Sequence, residues 1–380
     1  MMDCVRQKGA GSVEVVFDPM KPSIYWLFVF IPVTVILEHA GKVPAPVIFF
    51  SAALAIVPIA ALIVRSTEQV ASRTGEAVGG LLNATFGNAP ELIIALAALR
   101  AGYLDMVRAS IVGAILANLL LALGVAFFLG GLRHRDQKYN PAAARTYSTM
   151  MLLATVSLAV PSAFSRYFSP EGTIREEHLL NLGIAGLLLL AYGLYLVFSL
   201  KTHPAAFASA DEHEGGAHHE GKPWSMPRAI ATLVLASVLA AWMSEVLVGA
   251  AEGTGKALGM SQTFIGIVFL AIVGGAAESG SAIAVARKNR MDLSLGIALG
   301  SSIQIALFVA PVLVLASYAI APRPLELSFN RAEIGSLFLG VLTGTIVSGD
   351  GQSNWFKGVQ LVIVYSIIAL MFYFLPELKH

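Results

Sequence analysis

The sequence predicts an all-α polytopic membrane protein of eleven transmembrane helices, built as two inverted five-helix repeats behind an extra N-terminal helix. Three observations carry that expectation. The 380 residues are 56% hydrophobic and 13% charged, with a mean hydropathy of +0.74, more apolar than a soluble domain can hide in one core. Apolar runs of roughly 20 residues recur along the whole chain, each able to cross a hydrocarbon layer about 30 Å thick at about 1.5 Å per helical residue. A short glycine-to-glutamate pattern in the third run returns in the eighth.

The runs lie near 24–38, 44–64, 76–101, 104–131, 146–164, 179–200, 228–250, 262–286, 291–318, 331–349 and 355–375. They lack the apolar/polar alternation of barrel strands, so helices are the reading. Residues 1–43 hold the N-terminal tail and first span. Arg6, Glu14, Asp18 and Lys21 precede any apolar run, unlike a compact signal peptide, so this span is expected to be retained. Residues 44–200 form the first repeat and 228–380 the second. Between them, 201–227 is a polar linker with the run DEHEGGAHHE at 211–220. Its His213, His218 and His219, among Asp211, Glu212, Glu214 and Glu220, fit a solvated linker better than a metal sensor.

Most of the 25 Lys and Arg fall in the N-terminus and in the loops after even-numbered spans. The N-terminus and the linker are therefore expected in the cytoplasm and the C-terminus outside, with a bacterial inner (plasma) membrane as the location. A net charge of +1 and the lack of basic runs with interleaved aromatics exclude nucleic acid as a partner, leaving the lipid bilayer. The single cysteine, Cys4, excludes an intramolecular disulfide and a cysteine metal site. No ATP-binding motif points to a pump, and no cofactor is expected.

The repeat has one fixed register. Gly87–Glu91 reads GNAPE and, 187 residues on, Gly274–Glu278 reads GGAAE; the same offset pairs Gly79 with Gly266, Arg100 with Arg287, Asp105 with Asp292 and Gly113 with Gly300. Five spans per repeat is an odd number, so the second copy inserts upside down. That is inverted-repeat transporter architecture, which places a substrate site near the midplane between the repeats.

The chemistry sits at the repeated motif. Pro90 cannot donate to the carbonyl of Phe86 and Gly87 is permissive, so the third span is expected to break. Asn88 then caps a second half-helix, with Glu91 in its first turn at the positive end of the dipole. Gly274-Gly275 makes a similar break before Glu278. An ionised carboxylate at membrane depth costs several kcal/mol unless a proton or a cation neutralises it. A shared pair of glutamates that binds a divalent cation when ionised and protons when empty is an exchange site. Asn118, Ser301, Ser302 and Gln304 on spans 4 and 9 offer neutral oxygens. Such a set suits a hard cation, Ca²⁺ before Na⁺ or Mn²⁺, since zinc and copper favour Cys and His.

GNAPELIIALAAL at 87–99 and NLLLALG at 118–124, with GGAAESGSAIAVA at 274–286 and GSSIQIALFVAPVL at 300–313, resemble the paired signature regions of calcium/proton antiporters in the cation/calcium exchanger superfamily. The resemblance covers spans 2 to 11. It implies Ca²⁺/H⁺ antiport by alternating access, with Glu91 and Glu278 as the main ligands and carbonyls from Gly87 and Gly274. It further implies that Asn88, Asn118, Ser301 and Gln304 line the pathway and that spans 2 and 7 gate it. Two departures stand out. That family's second motif commonly reads GNAAEH where this chain has Gly275 and Ser279, and its first commonly has serine where this chain has Ala114.

Glu68, Glu245 and Glu252, on spans 2 and 7, are second-rank candidates for the proton pathway or gate. Arg100, Arg287, Asp105 and Asp292 are expected to anchor short turns outside the site. The competing functions are Na⁺-coupled exchange, a cation channel, and an intramembrane enzyme using Asp350; the sequence favours a transporter over an enzyme.

Overall fold

The computed structural model describes residues 24–74, 76–164, 174–204 and 224–375. Cys4, the N-terminal charges and the acidic and histidine run of the linker lie outside the described residues. A 3₁₀ turn, Ile24–Val29, leads into α1 (Phe30–His39), α2 (Ala45–Ala71), α3 (Glu76–Phe86) and α4 (Ala89–Arg100). Next, α5 (Leu104–Leu116) runs through a π-helical turn, Ala117–Ala122, into α6 (Leu123–His134), followed by β1 (Asp136–Lys138), α7 (Pro141–Ala163) and α8 (Ile174–Val197), which ends in a π-helical turn, Phe198–Thr202. After the linker come α9 (Met226–Leu258), α10 (Gln262–Phe264), a π-helical turn Ile265–Leu270, α11 (Ala271–Gly274) and α12 (Ala276–Ala286). Then α13 (Met291–Gln304) continues through the π-helical turn Ile305–Val309 into α14 (Ala310–Ile320), and α15 (Arg331–Ser348), β2 (Gln352–Asn354) and α16 (Trp355–Phe374) complete the chain.

Helix therefore covers every apolar run. Among the described residues, seven continuous helices are long and apolar enough to cross a membrane, or eight if Gln262–Gly274 and Ala276–Ala286, bent by 57°, make one span. The rest of the expected eleven fall short for physical reasons. Ile24–His39 is short, α3 and α4 have 11 and 12 residues on either side of a break, and the 18 residues of α15 open on Arg331 and Glu333.

Several boundaries differ from the hydropathy reading because polar residues are buried or cap. Helix α2 runs past the expected residue 64 to Ala71, its Ser66, Thr67 and Gln69 buried in the bundle beside α9. Asn140 starts α7 five residues early by accepting from the amides of Ala142 (2.9 Å) and Ala143 (3.4 Å). Helix α9 extends to Leu258 and stops at Gly259, whose φ of +68° suits glycine. A reciprocal Asn330–Glu333 capping box opens α15.

Two tertiary devices frame the bundle. The strands β1 and β2 pair antiparallel, Gln137 opposite Ser353, and tie the α6–α7 loop to the α15–α16 loop. On the opposite face, the extended stretch 321–330 buries Leu325, Leu327 and Phe329. The amides of those three residues donate to Ser317 Oγ, Asn181 Oδ1 and Ser162 Oγ at 2.7–2.8 Å. Buried backbone outside a helix thus has its partners, as membrane depth demands. At the linker's end, Trp224 lies between the guanidinium groups of Arg65 (5.2 Å) and Arg228 (4.9 Å). Its amide donates to Gln69 Oε1 (2.8 Å), joining the linker to the end of α2.

Candidate cation site

The expected break is present. Helix α3 closes with the Gly87 amide on Asn83 O (2.9 Å), and α4 opens with Pro90 in its first turn and Glu91 behind it. One detail differs from the sequence reading. Asn88 occupies the capping position, yet its side chain does not cap the helix; Nδ2 donates to Gln304 Oε1 on α13 instead. The amide is drawn across to the other repeat, so that the Asn88 side chain links α4 to α13. In the second copy Gly275 (φ −77°, ψ 4°) separates α11 from α12, and Glu278 stands in the first turn.

The two motifs interlock. A Cβ placed on Gly274 would stand 2.9 Å from Glu91 Cγ, and one on Gly87 would stand 3.2 Å from Glu278 Oε1 and 3.5 Å from Gln304 Oε1. Each repeat's glycine thus makes room for the other repeat's glutamate, and larger residues at Gly274 would displace the carboxylate. Both glutamates are buried, 8% and 9% exposed, and each lies within electrostatic reach of the other. Ser301 lines the same cavity as Glu278, with its hydroxyl near enough to act on the carboxylate.

At the two motifs four buried acceptor oxygens have no hydrogen-bond partner: both oxygens of Glu91, Oε2 of Glu278 and Oδ1 of Asn88. Asn118 lies in the same cluster, its Oδ1 3.4 Å and Glu91 Oε1 3.6 Å from a Cβ placed on Gly275. A buried set of lone pairs is costly until protons or a cation fill it. Among the described residues no group of three or more Asp, Glu, His or Cys could hold a metal. Two carboxylates and neutral oxygens together make the donor set that suits a hard ion. Ser302 is not in the cluster: its hydroxyl donates to Ala298 O (3.0 Å) and Ile115 O (3.5 Å), binding the two repeats together.

The described residues show access from one face. A cavity of about 280 Å³ reaches Glu278 from the face where the linker attaches, lined by Glu68, Asn83, Tyr147, Ser281, Asp292, Gly296, Gly300 and Ser301 among others. On the other face the helices touch. A Cβ on Gly266 would lie 2.6 Å from Met106 O and 2.8 Å from Ala109 Cβ, and one on Gly113 would overlap the backbone of Ile267. Adding 187 converts Met106, Ala109, Ser110 and Gly113 into Leu293, Gly296, Ile297 and Gly300, which all line the open cavity. The counterparts of Gly266 and Ile267 are Gly79 and Gly80 on α3, which pack instead against Ala71 O and the Leu200 side chain. One seam between the repeats is shut and its counterpart is open.

The second-rank glutamates divide between the faces. Glu68 lies at the cavity mouth. Glu245 and Glu252 sit on the shut face, away from the buried pair, where Arg100 Nη1 donates to Glu245 (3.1 Å) and Tyr103 OH (3.3 Å) and Lys256 Nζ (2.6 Å) donate to Glu252. Burial first, and the Glu252 carboxylate second, push the Tyr103 phenol above its ordinary value. Arg100 therefore joins α4 to α9 and does not anchor its own turn, while Asp292 accepts from the Asn140 amide (2.6 Å) and lines the cavity. Sequence reasoning missed Asn83, Tyr147 and Ser281. Asp292 and Gly300 carried a signal in the register itself.

A helical membrane protein whose two half-chains bring paired carboxylates to a buried site open to one face is a transporter by class. The chain belongs to the sodium/calcium exchanger protein family, whose model matches residues 44–201 and 228–374. It is 40% identical over 364 residues to the Ca²⁺/H⁺ antiporter of Aphanothece halophytica, covering 93% of this chain and 96% of that protein. It is 38% identical to the vacuolar calcium ion transporter of Schizosaccharomyces pombe, over 92% and 84% of the two chains. The solved structure of native YfkE superposes with a TM-score of 0.80 at 35% identity, over 93% of this chain and 100% of that one. An H⁺/Ca²⁺ exchanger, CAX, shares the fold at a TM-score of 0.67 and 14% identity, over 92% and 91%.

Proposed function

We propose that this chain is a secondary active antiporter exchanging Ca²⁺ for H⁺ across a membrane by alternating access at one midplane site built on Glu91 and Glu278. The observation that carries this reading is the set of four unpartnered, buried acceptor oxygens shared between the two motifs. Ca²⁺ takes about 6–8 oxygen ligands. The two carboxylates, Asn88 Oδ1, Asn118, the Ser301 hydroxyl and carbonyls of Gly87 and Gly274 supply oxygens of the right kind. When the ion leaves, protons neutralise the same carboxylates, so both cargoes compete for one set of lone pairs and cannot be carried together. The two glutamates titrate as a coupled pair.

The frame of this reading is eleven spans in two inverted repeats, 44–200 and 228–380, with the N-terminus and the linker in the cytoplasm. The cavity then opens to the cytoplasm, and the shut Gly113–Ile267 seam ends the path beyond Glu278, an arrangement that favours a carrier over a channel. In the opposite state α3 swings onto α13, seating Gly79 and Gly80 against Gly296 and Gly300, while α5 parts from the Ile265–Leu270 turn. The test is flux in proteoliposomes. A pH gradient should drive Ca²⁺ uptake, and Glu91→Gln or Glu278→Gln should abolish it; normal uptake by either variant sinks the assignment. Uptake driven by a Na⁺ gradient at constant pH would replace H⁺ by Na⁺ as the counter-ion.

A further inference from the structure

The site is symmetric in its carboxylates and in the glycines Gly87 and Gly274, and asymmetric in its neutral polar side chains. Around Glu278 stand three neutral polar side chains: Ser301 on the carboxylate itself, and Asn88 joined to Gln304. Their counterparts across the repeat are Ala114, Gly275 and Ala117, none with a polar side chain. Around Glu91 only Asn118 remains, and neither carboxylate oxygen nor Asn118 Nδ2 has a partner in the protein.

Backbone geometry does not require glycine at 275. Its φ of −77° and ψ of 4° are open to any residue. Steric contact does not forbid a side chain either. A Cβ would meet Asn118 Oδ1 at 3.4 Å and Glu91 Oε1 at 3.6 Å, both ordinary contacts, and Ala271 O at 3.2 Å. Glycine leaves the Asn118 amide oxygen and a Glu91 carboxylate oxygen beside it with no side chain of residue 275 against them.

We infer that Gly275 is a selectivity-determining position, which leaves the Glu91 half of the site wide enough to accept divalent cations larger than Ca²⁺. This rests on the reading of Glu91 and Glu278 as the ion-binding pair. With fewer fixed ligands on the Glu91 side, the ion keeps more of its own water there, and the coordination shell adapts to radius. The Glu278 side, fixed by the Asn88–Gln304 bond, supplies the rigid wall. Sr²⁺ and Ba²⁺ are therefore cargo alongside Ca²⁺. A methyl group at 275 narrows the gap; an amide narrows it further and offers a ligand on the side that lacks one.

The test is competitive uptake of Ba²⁺ and Ca²⁺ into proteoliposomes by wild type, Gly275→Ala and Gly275→Asn, read as a flux ratio. The Ba²⁺:Ca²⁺ ratio should fall about tenfold in the alanine variant, a differential of about 1.4 kcal/mol, and further in the asparagine variant. Protection against thermal unfolding by each ion in detergent gives the same ratio for a variant too slow to assay. An unchanged ratio in both variants overturns the inference, and so does a parallel loss of both ions, which marks a packing role. Glu278→Gln in the same vesicles separates the two levels. If it still transports, the ion-pair reading fails; if it is inactive and the ratio does not move, only the role of Gly275 fails.

Discussion

Replacing Gly300 by valine should trap the protein with its cavity open. In the structure a Cβ on Gly300 has nothing within 4 Å, so the side chain is accommodated as the helices stand. The repeat shows what the closed seam demands of this position. At the counterpart, Gly113, a Cβ would fall inside van der Waals contact with the carbonyl oxygen, Cα and carbonyl carbon of Ile267. Those are backbone atoms, and they cannot rotate away. Overpacking a close contact costs about 1–3 kcal/mol, here charged to the closed state alone, so its population falls roughly 5- to 150-fold. If closing limits turnover, pH-driven Ca²⁺ uptake falls by the same factor, with alanine at the mild end and valine at the severe end. Thiol labelling of Leu293→Cys on the cavity wall, in a Cys4→Ser background, should stay as fast as in the parent or become faster. Wild-type uptake by Gly300→Val would refute the closing motion, as would slow labelling. A loss of uptake matched by a fall in melting temperature would show damage to the open form, which the empty space around Gly300 denies.

Two further perturbations probe the site and its surroundings. Gln304→Leu removes the acceptor of the Asn88 amide and leaves a buried donor unpaired, at a cost of about 1–3 kcal/mol; the free Asn88 oxygen then loses its aim, and KM for Ca²⁺ should rise about tenfold with a smaller change in kcat. Asp350→Asn should leave transport intact, which removes Asp350 as a catalytic acid, because the carboxylate is committed to Lys357 Nζ through both oxygens at 2.6 Å. Burial pushes the Asp350 carboxyl up, but Lys357 and the Gln352 amide outweigh it and hold the group below its ordinary value. A depressed carboxyl stabilises the fold above its unfolded pKa of about 3.9 and loses that contribution as pH falls through the folded value. The melting-temperature gap between wild type and Asp350→Asn should therefore be present at neutral pH and close only in strong acid. With Asp350 59% exposed the gap corresponds to less than about 1 kcal/mol.

The parts of this molecule legible in the sequence are those that local chemistry decides. Pro90 so soon after Gly87 favours a break, although α2 and α7 carry Pro58 and Pro161 inside continuous helices, and a glutamate repeated at one offset in apolar surroundings has few uses other than a shared ion. What the sequence could not reveal depends on rotation and on distant partners. Ser301 and Ser302 read as equal candidates, yet about 100° of helical rotation turns one to Glu278 and the other to the backbone of Ala298. Asn88 has every local reason to cap α4, and only the fold reveals Gln304 beside it. Ser66, Thr67 and Gln69 look like the end of a span to a hydropathy window, although the neighbouring helices bury them. The open side of the molecule was invisible for a deeper reason: the repeat encodes both seams alike, and nothing local in either copy says which of the two is closed.

If the protein alternates as proposed, the composition of the two seams explains why neither state locks. The shut seam sets Gly266 and Ile267 against Met106, Ala109, Ser110 and Gly113; the open one would set Gly79 and Gly80 against Leu293, Gly296, Ile297 and Gly300. Each contains one isoleucine and one other long apolar side chain, with glycines at the points of closest approach. The isoleucine has moved from the half-helix to the helix it meets. Closing either seam expels water from a similar apolar area, so the difference between them is smaller than the burial of one large side chain, about 1.5–3 kcal/mol. A gap of that size leaves both states populated enough to interconvert. The small terms that tip the balance then lie outside the seams. Arg100–Glu245 and Tyr103–Glu252 cross the shut face, and exposed contacts of this kind contribute little each. Arg290 stands where the repeat would place a second Tyr103, so the opposite latch is built differently. On that reading the resting direction of the cavity is set at the rim, and the two carboxylates, equivalent across the repeat, can load from either side.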